Sequence, residues 1–291
     1  MRETLSVRVA PIVAALAVAV AVLSTSPGQA AAATTTGYRL PFLAGTRVYV
    51  STTWGAESHV SPSGAKVNAY DFIRVTSYGA TYGLPLVASA AGTVVGLKTN
   101  SSTQTCGSSV PDYANYVKIR LPDGTENWYW HLKMAAVTMG QTVAQGQIIG
   151  QAGNTGNACP TGTSGSHLHF QLNSNSAQYY FVEGGNVQLA KGTKLTSQNY
   201  APVVLKVKLA NSIYVALDWT NKSTDSPKFV IQRQDFVGSA WTSWKTLATV
   251  GSTTFHYDDW TVFASFNYRI CTQTNLGTNC GPTVWSLGLG W

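Results

Sequence analysis

Apolar and polar positions alternate in short runs along most of this chain, and the runs break at glycines and turns. In "YANYVKIRLPDGTENWYWHLKM", Val117, Ile119 and Leu121 alternate with Lys118 and Arg120. "PDG" then turns the chain and "NWYWHL" returns, which predicts a β-hairpin. "PLVASAAGTVVGLK" is an apolar run broken at Gly92, and "VTMGQTVAQGQIIGQAGNTG" is a train of short apolar pieces between glycines. No stretch sustains a helical period. From about Tyr200, "VVLKVKLANSIYVALDWT", "KFVIQRQ", "WTSWKTLATV" and "FNYRICTQTN" recur at the spacing of a β-sandwich. The pattern predicts an all-β protein: an antiparallel sheet or sandwich, followed by a smaller β-sandwich.

The first residues read differently. Arg2 and Arg8 precede an apolar run from Val9 to Leu23, and alanines follow to Ala33. The run has the length of a secretory leader and is short for a membrane span. Residues 1–33 are therefore expected to be a signal peptide. The protein is expected to be secreted, without stable membrane association once the leader is gone. The length of 291 residues suits one large domain or two ordinary ones. Charged residues are only 11% of the chain, well below the usual quarter, as suits a secreted β protein rich in turns. The formal net charge of +7 draws such a protein toward polyanions, an acidic cell wall among them. No block of Lys or Arg forms a nucleic-acid groove, so nucleic acid is not an expected partner. Four cysteines allow three pairings. Pairing within each half, Cys106–Cys159 and Cys271–Cys280, is favoured in the oxidising exterior.

Five histidines stand in the chain, and two are separated by a single leucine in "TSGSHLHFQL". A strand there puts His167 and His169 on one face, with Leu168 and Phe170 on the other. Asp71 interrupts the apolar run "NAYDFI", where a carboxylate is costly unless paired or bound to metal. His131 follows three aromatics, and His59 stands in a loop before the Asp71 strand. Imidazoles and a carboxylate suit zinc, whose catalytic sites use three protein ligands. The surplus histidines are then free to move protons. An H-E-x-x-H motif is absent, and Glu126 lies at an odd offset from His131, on the opposite face of an unbroken strand. Tyr129, two before His131, shares its face there and is expected to pack. The glycines of "AGNTG" are expected as turn formers. Trp241, Trp244 and Trp260 are expected in the second core, and His256 as an ordinary histidine.

From about Trp54 to Phe181 the chain resembles the lysostaphin-type, or LytM-like, zinc endopeptidases, which include the beta-lytic proteases. Five blocks carry the resemblance in order: a His before "NAYDF", "PLVASAAGTVV", "NYVKIRLPDGTENWYWHL", "VTMGQTVAQGQIIGQAGNTG" and "GSHLHF". His59 and Asp71 are farther apart than the compact H-x-x-x-D of many members. A cysteine pair placed like Cys106 and Cys159 also looks beta-lytic. The resemblance implies one zinc per chain, held by His59, Asp71 and His169. It implies His131 and His167 as the non-ligand catalytic histidines, general base and electrostatic partner. It implies hydrolysis of the peptide part of bacterial peptidoglycan, stem peptides or cross-bridges, by a secreted monomer. Residues 34–199 are then the peptidase domain. Residues 200–291 resemble a fibronectin type III domain, with Trp219 in an early strand and Tyr268 near the tyrosine-corner position. Two alternatives stand beside this reading: a non-enzymatic wall-binding or activator protein on the same scaffold, and a zinc amidase that cleaves the sugar–peptide amide.

Overall fold

A computed structural model of the chain describes residues 37–53, 55–56, 59, 67–107, 113–173, 180–210, 213–261 and 265–286. The expected leader lies outside them. No helix among the described residues is long and apolar enough to cross a membrane.

The architecture is all-β, as the alternation predicts. Eight strands build the main sheet: β1 (Arg47–Thr52), β2 (Ala69–Arg74), β3 (Gly92–Lys98), β4 (Tyr116–Arg120), β5 (Glu126–Trp130), β6 (Thr142–Val143), β7 (Leu168–Asn173) and β8 (Lys194–Thr196). Their order across the sheet is β8-β1-β2-β7-β5-β4-β3-β6, with every neighbour antiparallel. Strand β7 sits at the centre. Its Leu168, Phe170 and Leu172 are buried, while His169, Gln171 and Asn173 face the other way. Tyr70 and Phe72 of β2, Tyr129 of β5, and Phe170 and Phe181 join the same core. Burying one such aromatic side chain contributes roughly 1.5–3 kcal/mol, so the inner face fixes the register of the outer one. A one-residue slip would send His169 into the core.

A second, three-stranded sheet of Pro85–Val87, Ile148–Ala152 and Leu132–Ala135 covers part of this core. The chain leaves β5 and enters that sheet at His131, whose φ of 62° is left-handed. Gly153 lets the two segments close up: a Cβ there would lie 2.4 Å from the Lys133 nitrogen and 2.9 Å from the His131 oxygen. In "AGNTG", then, Gly153 is present for close approach, and Gly156, at φ 78°, for conformation. Disulfide Cys106–Cys159 forms as expected. It ties the parallel pair Gln104–Thr105 and Gly156–Asn157 beside the loop that leads to His167.

From Val203 onward, two sheets share a second core that includes Trp219, Phe229, Ile231, Phe266 and Tyr268. Cys271–Cys280 clips the hairpin of Phe266–Thr274 and Gly277–Cys280. One expectation fails here. Trp241 and Trp260 are exposed, and Trp244 stacks on the Arg269 guanidinium at 4.1 Å. Trp241 ends a two-residue strand and Trp244 and Trp260 lie outside strands, and the core is filled by Trp219 with Leu, Val, Ile, Phe and Tyr side chains. The Tyr268 hydroxyl, placed near a tyrosine corner, donates to the Asp259 carboxylate at 2.8 Å and not to backbone. The junction near residue 200 is packed. Asn279, fully buried, donates to the Gly146 and Asn199 carbonyls (2.9 and 3.1 Å), and Leu276 packs with Val87 and Ile148.

Candidate metal centre

Three elements bring the predicted ligands together. Asp71 and His169 are opposite one another in the β2–β7 register. His59 comes from the chain before β2 and is buried, with its backbone bonded to Val67 and Ala56. The ligand-capable atoms of His59, Asp71 and His169 all lie within 4.8 Å of one another. His59 Nε2 is 3.1 Å and His169 Nδ1 3.0 Å from the same oxygen, Asp71 Oδ1. His167 Nε2 is 3.9 Å from it. Among the described residues His59 Nε2 meets no partner with hydrogen-bond geometry, although it is buried. An orphaned imidazole nitrogen aimed at a carboxylate shared with a second imidazole is a donor set that fits zinc.

The other nitrogen of each ring is tied down. His59 Nδ1–H donates to the Thr53 carbonyl at 3.0 Å, and His169 Nε2–H to Gln171 Oε1 at 3.3 Å. His131 Nδ1–H donates to Thr155 O at 2.7 Å, and His167 Nδ1–H to Gly165 O at 2.8 Å. The carbonyl acceptors place a proton on Nδ1 of His59, His131 and His167 and turn Nε2 of each toward the site, while His169 is held from both sides, by Asp71 at Nδ1 and Gln171 at Nε2. His131 and His167 stack with ring centroids 4.5 Å apart, beside the ligand cluster.

Electrostatics follow from this crowding. Burial pushes the Asp71 carboxyl up, but the charge of His167, the hydrogen bond from His169 and the adjacent His59 outweigh it. Together they hold Asp71 well below the usual carboxylate range. Burial pulls His59 down, yet the adjacent Asp71 leaves it raised. Burial, followed by the charges of His167 and His169, presses His131 down to about 3. His131 is therefore neutral near pH 7, with Nε2 free of its proton.

All five predicted site residues thus lie in one cluster, with two differences in detail. His131 is not on a strand face: its left-handed φ breaks the alternation, so Tyr129 points away from it into the core. There the Tyr129 hydroxyl accepts the Ser89 N–H at 2.8 Å. The break also changes the position of Glu126, which is on the His169 side of the sheet, four register pairs away. It is bound by Arg120 and by Trp128 Nε1 there, and is no base. Sequence reading missed Thr53, Thr155, Gly165 and Gln171. Only Gln171 left a signal, by sharing the parity of His169; the others act through backbone carbonyls, which any residue carries.

Comparison with known proteins gives three findings. The model of peptidase family M23 matches residues 72–180. Peptidoglycan DD-endopeptidase ShyA of Vibrio cholerae serotype O1 is 33% identical over 97 residues, which are 33% of this chain and 19% of that protein. Among solved structures, a zinc-containing peptidase from Vibrio cholerae is 25% identical over 47% of this chain and 37% of its own, with a TM-score of 0.35. LytU is 27% identical over 46% of this chain and 81% of its own, with a TM-score of 0.33. The stretch that begins one residue after Asp71 and contains His131, His167 and His169 is thus similar to peptidase family M23.

Proposed function

We propose that the protein is a secreted zinc endopeptidase that hydrolyses peptide bonds of bacterial peptidoglycan, in stem peptides or cross-bridges. The observation that carries this reading is the convergence of His59 Nε2, Asp71 Oδ1 and His169 Nδ1 beside two further histidines whose Nδ1–H groups are held by backbone carbonyls. The match to peptidase family M23 and the likeness to a peptidoglycan DD-endopeptidase support the substrate class. His59, Asp71 and His169 would hold one zinc ion. When bound there, zinc supplies a Lewis acid that polarises a carbonyl and acidifies water. His131 Nε2 accepts the proton of the attacking water, because the ring is neutral and its Nδ1 is anchored on Thr155. His167 in its doubly protonated form, with Nδ1–H held by Gly165 and Nε2–H toward the site, stabilises the negative charge that develops on the scissile carbonyl oxygen. A protonated histidine then serves the leaving amine. Residues 200–291 form a fibronectin-like unit that positions the enzyme on the wall.

The test is digestion of purified peptidoglycan by the zinc-loaded protein. New amino termini inside the peptides are expected. Release of intact stem peptides from glycan would make it an amidase, and no digestion with zinc retained would favour a wall-binding or activator protein. His131→Ala and His167→Ala are expected to keep zinc and lose about 10²–10⁴-fold in rate.

A further inference from the structure

The sheet face that carries His169 continues past the ligand cluster as an aromatic surface. In register, His169 is opposite Trp130, which is opposite Tyr116; in the next row Gln171, Trp128 and Lys118 line up. Tyr116 and Trp130 have ring centroids 5.1 Å apart, and Trp128 and Trp130 5.9 Å. All three rings are half-buried. The Lys118 ammonium sits among them, 3.7 Å from the Trp128 centroid, 4.9 Å from Tyr116 and 5.6 Å from Trp130. Its methylene stem lies across Gly96 of β3, where a Cβ would come within 2.8 Å of Lys118 Cδ. The cage holds the charge in place, and each ring face attracts it.

The acid on the same face, Glu126, feels the Lys118 charge without pairing with it. Lys118 makes no ion pair among the described residues. Glu126 gives one oxygen to Arg120 and the other to Trp128 Nε1. A fixed cation bordered by aromatic faces, on the site side of the sheet, suits a carboxylate attached to an extended chain whose backbone stacks on the rings.

We propose that Lys118, caged by Tyr116, Trp128 and Trp130, binds a carboxylate of the peptide substrate. Two strand spacings across and two residues along the sheet put it about 12 Å from His169. That is roughly three or four extended residues from the scissile amide. The inference rests on the peptide-hydrolase reading above and adds a charge requirement to it.

The test is calorimetric titration of the full-length protein with acetyl-tetra-alanine as free acid and as amide, with chelator present so that no peptide is consumed. The acid is expected to bind about fivefold tighter at low salt, the scale of one partly exposed charge pair, and the gap to close as salt rises. Lys118→Met should erase the gap and Lys118→Arg should keep it, with unchanged zinc content in both when zinc is restored. Equal affinity for acid and amide in the wild type, or a preference that survives Lys118→Met, overturns the proposal. Failure of the hydrolase reading appears separately, as zinc-loaded protein that leaves purified peptidoglycan intact; the binding difference is read without hydrolysis.

Discussion

Two enclosed aspartates, Asp71 in the first core region and Asp259 in the second, meet the same problem in opposite ways. Asp259 is 6% exposed and fully served: the Arg233 guanidinium pairs with Oδ2, the Tyr268 hydroxyl donates to the same oxygen, and Thr261 N–H donates to Oδ1. Arg233 also lies over the Phe266 ring at 4.3 Å and bonds Asp235. Every polar group has a partner that cannot leave. Asp71 instead has three imidazole nitrogens crowded on one oxygen at 3.0, 3.1 and 3.9 Å, one of them without a bond of its own. A buried carboxylate therefore does not by itself mark a site. Partners that are themselves metal ligands, anchored from behind and unsatisfied in front, do mark one.

The contrast predicts that the two clusters fail differently. His169→Ala should cost metal affinity more than the 10–100-fold typical of an outer-shell partner, with the fold retained. Zinc retained at wild-type affinity, measured by competition with a chelator, would break the assignment. Asp259→Ala should do the reverse. Zinc content should be unchanged, while stability falls by roughly 1–3 kcal/mol because the buried Arg233 guanidinium and Tyr268 hydroxyl lose their shared acceptor and Arg233 keeps only Asp235; chemical denaturation reads the loss. Gln171→Ala sharpens the account of the anchored rings. It should weaken zinc binding about 10–100-fold, and Gln171→Glu should restore it, whereas a purely structural Gln171 would leave affinity unmoved.

The smallest effect belongs to a second histidine–aspartate group, His256 with Asp218 and Asp258, which is exposed. The hydrogen bond that His256 donates to Asp218 raises the imidazole above its ordinary 6.5. Its contribution to stability is present in full below the unfolded value and lost as pH rises through the folded one. A small fall in the denaturation midpoint between pH 6 and 8.5, absent in His256→Gln, is expected. Zinc binding at this exposed cluster that rivals the buried one would undo the comparison.

The sequence by itself determined the β architecture, favoured the two cysteine pairs over the other pairings, and through its family resemblance pointed to the five residues that cluster. Period-two alternation is a local property, and a polar residue such as Asp71 inside an apolar strand is visible without a partner in view. Parity alone put His167 and His169 on one side of β7 and left Leu168 and Phe170 for the core. Tertiary structure decided what depends on distant segments meeting. The left-handed turn at His131 exists because the chain changes sheets there, against a glycine 22 residues later; no local pattern announces it. The ring anchors Thr53, Thr155 and Gly165 act through carbonyl oxygens, which have no signature in side-chain chemistry. The cage around Lys118 needs the register of three strands, and the exposure of Trp241 and Trp260 depends on which other side chains fill the second core. Alternation fixes which face a side chain takes, but what it meets on that face is set by pairing between segments far apart in the chain.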